Sequence, residues 1–450
     1  MTETKGWPAP PKIATAAALG AGFLATAAVN WPGHLSYDSF EQLWEGRIGV
    51  YSTWHPPVMA WLLGLFDAIL PGAGLFVLFQ TTLAFAALAV LLFLGRARWR
   101  SVAVVVGIVL LPQMLLYQGL VWKDVLFADA AITGFALLAW VAAHWRGPRS
   151  EIAVLAMFAL VTLAALARQN GPILLPFVGL VIAWTARRHG GSWRETLTWS
   201  IGSVAVMAAF AAASTIALDH RSSDGGRSGQ IESLALYDLS GAVAQEPSLH
   251  LDILAKNEPR LDAAIRIRGA KLYSPVREDA VIDDPAIQSA LTNTAVLMDQ
   301  WRDLIFGHPL LYLRIRTMAF IHVFAMPDLG NARSVFTGVN GPPAMMARLH
   351  MPRRADARDF ALERYGKALF GTPVWSHLTF AAAAVACLIV LCRRRRSADI
   401  AVAAMLLSAL AFTASFFVIS VSSEYRYLYF LDLSVLAALF YLSIDTREAS

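Results

Sequence analysis

The chain has 450 residues, 57% of them hydrophobic and only 15% charged, with a net charge of +5 and a mean hydropathy of +0.53. A soluble domain carries about a quarter charged residues, so a soluble enzyme is excluded. The Lys and Arg fall in short clusters between apolar runs, which is the pattern of cytoplasmic loops and not of a nucleic-acid-binding patch.

Apolar runs of about 20 residues recur along the chain. They predict an all-α polytopic membrane protein with about ten transmembrane helices, two interfacial helices and an extracytoplasmic helical cap. The predicted spans are 13–31, 74–95, 101–118, 125–144, 152–167, 172–186, 198–218, 373–392, 398–420 and 428–445. Residues 1–30 could also be read as a signal peptide, but "ATAAVN" is a poor cleavage site, and the first run is expected to stay as a span. Cys387 and Cys392 lie in one apolar segment and suggest packing rather than a disulfide framework.

Basic clusters at Arg96/Arg98/Arg100, Arg146/Arg149, Arg187/Arg188/Arg194 and Arg393 to Arg396 separate the spans. If all four face the cytoplasm, Lys5 and Lys12 place the N-terminus there, and ten crossings return "SIDTREAS" to the same side. Two apolar stretches do not fit as crossings. One is 56–70 with Asp67; the other is 309–327 with Arg314, Arg316 and His322. Counting either as a span would put "RRRR" outside, so both are predicted to lie at the outer interface. Pro56 and Pro57 would start the first. The expected organisation is an N-terminal membrane domain (1–218) with a first outer loop (32–73), an extracytoplasmic cap region (219–372) and C-terminal membrane helices (373–450). The chain is expected in the plasma (inner) membrane, with both termini cytoplasmic.

On this topology nearly all the chemistry falls outside. The first outer loop holds Asp38, Glu41 and His55; Lys123 and Asp124 open the fourth span; "RQNGP" (168–172) joins the fifth and sixth; "SSEYRY" (422–427) opens the last. Each has a plain structural alternative. Asp38 could be an N-cap, and Glu41 its solvated companion one helical turn on. His55 could cap the Pro-Pro helix. Lys123 could snorkel beside an N-cap Asp124. Arg168 could be an interfacial anchor, yet an Arg on the outer side wants a local partner. Arg426, between Tyr425 and Tyr427, wants one more strongly. Arg314 and Arg316 could meet lipid headgroups. Asp129, inside the fourth span, should face the protein interior. Taken together, acids near cations at the outer mouth of a membrane cavity suit a lipid phosphate. Arg would hold the phosphate bidentately, and a carboxylate would activate an acceptor hydroxyl or hold a divalent cation.

The order of these motifs resembles the GT-C superfamily of integral-membrane glycosyltransferases. Those motifs are "SYDSFEQ", "HPP", "KD", "RQNGP" and "YRYLYFL". The nearest branch by pattern is the protein O-mannosyltransferase and aminoarabinose-transferase-like enzymes. The resemblance implies a polyprenyl-phosphate-linked sugar donor and transfer on the extracytoplasmic face to a lipid, glycan or protein acceptor. It implies that Asp38 and Asp124 are the catalytic or metal-associated carboxylates. It implies that His55, Arg168, Asn170 and Arg426 bind substrate, and Glu41, Lys123 and Tyr425 beside them are expected to do the same. Where the family's first loop often pairs adjacent acids, here Ser39 follows Asp38 and the next acid is Glu41. A flippase or transporter of the lipid-linked sugar and a glycan ligase remain as alternatives. A flippase would place ionisable residues near mid-membrane in repeat-related halves, whereas the charges here gather at outer ends and no repeat is evident. Metal dependence stays open.

Overall fold

The computed structural model describes residues 10–52, 54–145, 147, 149–219, 229–277 and 279–446. Lys5, Arg146 and the last four residues, on which part of the expected topology rests, lie outside the described residues. The chain divides into two compact units. The first comprises Met1–Gly226, Val335–Phe412 and Tyr429–Ser450; the second comprises Arg227–Ser334 and Thr413–Leu428. The predicted cap region 219–372 is thus shared between them.

The protein is an all-α integral membrane protein. Among the described residues, eight helices are long and apolar enough to cross a membrane: Pro10–Asn30, Gly74–Leu92, Lys123–Ala143, Ser150–Ala167, Trp193–Leu218, His377–Arg394, Ser397–Ile419 and Tyr425–Ser443. They match eight of the ten predicted spans. Among the described residues, strand is confined to Gly95–Arg96 and Asp445–Thr446, paired antiparallel.

In the first unit α1 (Pro10–Asn30) is rich in alanine, the best helix former. It is followed by α2 (Tyr37–Ile48), which Ser36 and Ser39 cap reciprocally and Gly49 ends at φ 67°. Next, α3 (Pro57–Ile69) is the short apolar helix expected at 56–70, with Pro57 in its first turn. The span α4 (Gly74–Leu92) leads to α5 (Trp99–Val109). The predicted span 101–118 breaks there. Pro112 opens α6 (Pro112–Leu115), and the chain bends by 65°, because proline supplies no N–H to continue a helix and displaces the residue before it from helical geometry. Then come α7 (Lys123–Ala143), α8 (Ser150–Ala167), α9 (Leu174–Arg188, 15 residues) and α10 (Trp193–Asp219). The predicted span 172–186 corresponds to α9. The most apolar stretch of α7 is 89% buried while that of α10 is 11% buried, so α7 is the central helix of the bundle and α10 leaves its surface open to lipid. Cys387 is buried as expected, but Cys392 is exposed and packs against nothing inside.

The α2–α3 pair is set by glycine. A Cβ on Gly46 would lie 2.3 Å from the Ala60 carbonyl oxygen, and one on Gly64 would lie 2.3 Å from the Gly46 oxygen. The two backbones touch. Arg47 on α2 then grips Asp67 on α3 through Nε–Oδ2 at 2.7 Å and Nη2–Oδ1 at 2.8 Å. Burial alone would raise the Asp67 carboxyl, but the Arg47 fork and the Gly72 N–H hold it below the usual range.

The second unit starts with α11 (Gln230–Gln245) and continues through short helices to Thr294–Gly307 and Pro309–Ala325, which meet at 101°. Leu236, Leu239, Leu254, Ile265, Leu297 and Ile315 are among its core side chains. The polar segment 284–306 does not run as one helix: Asn293 caps a new one by accepting from Ala295 N and Val296 N. Arg314 is exposed. Arg316, expected to be able to meet lipid headgroups, is instead fully buried and pairs with Asp238 at 2.9 Å. Trp301 Nε1 also donates to Asp238, and Arg316 Nη1 to the Val418 carbonyl. The apolar core around these groups makes an internal partner obligatory.

The close approach of α2 and α3 makes a direct prediction. Gly46→Ala should destabilise the chain by about 1–3 kcal/mol, as overpacking does. Gly20→Ala, where a Cβ would meet nothing within 4 Å, should be neutral or slightly stabilising. Thermal unfolding of the two variants in one detergent checks this.

Candidate active site

The end of α1 sets up the first outer loop. Asn30 Nδ2 donates to Thr26 O at 2.8 Å and Leu115 O at 2.7 Å, while its Oδ1 faces His34 Nε2 at 3.0 Å. The chain then runs as a short extended segment between two others. His34 N donates to Gly119 O, Val121 N to His34 O, Leu35 N to Gly338 O and Asn340 N to Leu35 O. On the far side Val339 pairs antiparallel with Arg354. Ser39 Oγ donates to Val121 O at 2.7 Å, and Trp122 Nε1 to Ser36 Oγ at 2.8 Å. These bonds fasten the start of α2 to the segment that leads into α7.

His34 is at the centre of this weave and is fully buried. Its Nδ1 accepts from Gly338 N at 2.8 Å, so the ring proton is on Nε2, facing Asn30. Arg354 Nη2 donates to Gly33 O and lies 3.3 Å from Nδ1, and Arg354 is paired with Asp359 at 3.1 Å. Burial pushes the His34 imidazole down to about 4.

Asp38 lies in the first turn of α2 but is not its N-cap, which is Ser36. It is half-buried. Glu41, one turn on, is also half-buried, and burial raises its carboxyl above the ordinary range; a Tyr37 hydrogen bond opposes this, and the Asp38 charge adds to it. Lys123 and Asp124 occupy the first turn of α7, whose N-cap is Trp122, so Asp124 is not a cap either.

Two pairs form among the predicted residues. Lys123 Nζ lies 2.9 Å from His55 Nδ1. Lysine has no acceptor, so Nδ1 accepts and the ring proton is on Nε2. Arg168 forms an ion pair with Asp124, and both side chains are almost wholly buried. The Arg168 guanidinium also lies over the Phe412 ring at 5.6 Å. Arg168 therefore has the local partner it was expected to need.

Arg168 owes its position to the turn that follows α8. Gly171 N donates to Arg168 O at 2.9 Å, and a Cβ on Gly171 would sit 2.8 Å from both the Ala164 and Ala165 oxygens. Only glycine lets the chain fold back this tightly on α8. Asn170 is the cap of the short turn Gly171–Ile173. Gln169 Nε2 donates to the Trp54 carbonyl at 3.3 Å, tying the turn to the residue before His55.

Tyr425 and Arg426 belong to the second unit. Tyr425 is fully buried and its N–H donates to Ala332 O at 2.9 Å. Arg426 pairs with Glu424 and lies over the Tyr427 ring at 5.7 Å.

Sequence reasoning picked out Asp129 but not its holder. Asp129 is fully buried, as expected of a carboxylate inside the fourth span, and accepts from Gln118 Nε2 at 2.9 Å. Gln118 also reaches Tyr429 Oη, which donates to the Gln113 carbonyl. His34, Asn30 and Arg354 were missed altogether. The paired glutamines in an apolar run with Pro112 were a legible signal; nothing local marked His34. Among the described residues no group of three or more His, Cys, Asp or Glu stands where it could hold a metal ion. With Lys123 adjoining and Arg168 on its carboxylate, Asp124 does not fit a divalent cation.

No family model and no curated protein matches the chain. Among solved structures, the chain is similar to the crystal structure of ArnT from Cupriavidus metallidurans bound to undecaprenyl phosphate. The likeness covers 94% of this chain and 77% of that one, at 14% identity and a TM-score of 0.39.

The buried His34 makes stability pH-dependent with a definite sign. The imidazole titrates at about 4 in the folded chain against an ordinary 6.5, so the unfolded chain takes up the proton first. Stability therefore falls as pH drops from 6.5 towards 4, by up to about 3 kcal/mol. His34→Gln should flatten that part of the profile. Unfolding temperatures of both proteins between pH 7.5 and 4.5 check it.

Proposed function

We propose that the chain is a glycosyltransferase that moves a sugar from a polyprenyl-phosphate donor to an acceptor on the extracytoplasmic face of the plasma membrane. The observation that carries this reading is the buried Asp124–Arg168 pair beside the Lys123–His55 pair. Arg168 and Lys123 bring two cations to the start of α7, whose first turn adds the positive end of a helix dipole. Cations gathered at the end of apolar helices suit the phosphate of a lipid carrier. The order of the surrounding motifs supports the same reading.

In this mechanism Arg168 and Lys123 take the donor phosphate. Asp124 orients the Arg168 fork, and His55 accepts from Lys123 to fix its ammonium. Asp38, half-buried and free of the capping duty that Ser36 performs, is the general base. It takes the proton from the acceptor hydroxyl as that oxygen bonds to the anomeric carbon. The carbon–oxygen bond to the phosphate breaks, and the electron pair leaves on the lipid phosphate, where the cations stabilise it. Attack opposite the leaving group inverts the anomeric configuration. Glu41, raised by its surroundings, and Asn170 in the glycine turn are assigned to the sugar. Tyr425 and Arg426, in the second unit, are assigned to substrate by their motif alone. The basic clusters support cytoplasmic termini with these residues on the outer side.

The test is a transfer assay in purified membranes with a panel of radiolabelled polyprenyl-phosphate sugars. Wild type should consume one donor. Asp38→Asn and Arg168→Lys should each lower the rate by about 100-fold or more, the usual cost of losing a base or a phosphate ligand. Arg426→Ala should raise the donor KM. Full activity in Asp38→Asn would sink the base assignment. A panel left intact by wild type would sink the function.

A further inference from the structure

The first unit contains a groove that none of these roles uses. One part is an open cavity of about 680 Å³ bounded by Asn340, Pro343, Met346, His350, Met351 and Arg353. A second, about 280 Å³ and more enclosed, is bounded by Phe336, Thr337, Arg353, Arg354, Asp359 and Glu363. Asn340 and Arg353 line both.

The helix Pro343–Leu349, which forms one wall of the groove, packs against α2, the helix that carries Asp38. A Cβ on Gly341 would lie 2.4 Å from the Phe40 ring. Arg348 lies over the Trp44 ring at 5.7 Å, and Arg47 Nη1 donates to the Leu349 carbonyl. At its inner end Phe336 lies 6.2 Å from Trp122, the residue before Lys123.

Its charges do not balance. Arg354 is neutralised by Asp359, and Glu363 by Lys367. Among the described residues, no hydrogen bond or ion pair engages the exposed Arg353. The neighbouring wall is proline and methionine, and methionine moulds itself to irregular apolar ligands. One unpaired guanidinium beside an adaptable apolar wall is complementary to an amphiphile with an anionic headgroup.

We propose that this groove holds the acceptor, and that the acceptor is an anionic amphiphile. Its phosphate or carboxylate rests on Arg353, its apolar part lies along Pro343, Met346 and Met351, and its hydroxyl is presented towards the start of α2. The role as acceptor rests on the glycosyltransferase reading above; the ligand chemistry does not.

The purified full-length chain is titrated in neutral detergent with dioctanoyl phosphatidylglycerol and, separately, with dioctanoyl phosphatidylcholine, by thermophoresis. Wild type should bind the anionic lipid about tenfold more tightly, the worth of one charge-assisted contact. Arg353→Ala should lose that preference, Arg353→Lys should retain most of it, and Met346→Asp should weaken both lipids. Equal binding by wild type, or an unchanged preference in Arg353→Ala, overturns the groove. In the second arm, membranes are given labelled donor, unreacted donor is cleaved to water-soluble sugar with mild acid, and the products are passed over an anion exchanger. Retained, lipid-extractable label that falls about tenfold in Arg353→Ala identifies the acceptor. Unretained label, or retained label formed at the wild-type rate by Arg353→Ala, makes the groove a site for bystander phospholipid and overturns the acceptor role. If wild type consumes no donor at all, the glycosyltransferase reading and the acceptor role fall together, and the lipid titration still decides whether the groove takes an anionic amphiphile.

Discussion

The first unit hangs on a few backbone hydrogen bonds made by two residues. His34 and Leu35 are paired on one edge with Gly119–Val121 and on the other with Gly338–Asn340. Extended backbone that is buried must find partners for every N–H and C=O, and here the partners come from stretches about 85 and 300 residues away in sequence. The pairing brings together the start of α2, the start of α7 and the loop that bounds the groove. Asp38, Lys123, Asp124 and Arg353 all owe their positions to it. His34 seals the weave from within, and its burial requires the neutral ring that the hydrogen bonds specify.

The membrane imposes the second constraint. Within apolar helices a polar group must be answered inside the protein. Asp129 is answered by Gln118, and His377 by Asp432 at 2.8 Å with both side chains fully buried. The Arg316–Asp238 pair in the second unit follows the same logic. These pairs are internal scaffolding. The Asp124–Arg168 and Lys123–His55 pairs differ in sitting at helix starts and turns rather than within helices, and in bringing two cations together there. That is why the candidate phosphate site is placed there and not at Asp129.

Glycine and proline govern the local geometry around these charges. Gly171 allows the turn that presents Arg168, and Gly46 and Gly64 allow α2 and α3 to touch. Pro57 starts α3 immediately after His55, and Pro112 breaks the span that delivers Gln118 and the Gly119–Val121 edge. Each was visible as a residue, but its effect depended on what lay opposite.

The sequence by itself determined the fold class, eight of the spans, the short helix at Pro57, and the first-turn position of Lys123 and Asp124. Those follow from hydropathy, proline and local periodicity, which act over a few turns of chain. It also marked Arg168 as a cation that needed a partner. Only the tertiary structure decided that the partner is Asp124, that Arg316 points inward to Asp238 rather than to lipid, that 101–118 bends, and that Arg353 is left without a partner beside a groove. These depend on contacts between residues far apart in the chain. A charge reads the same in sequence whether it is neutralised or not; its surroundings decide whether it is structure or a binding site.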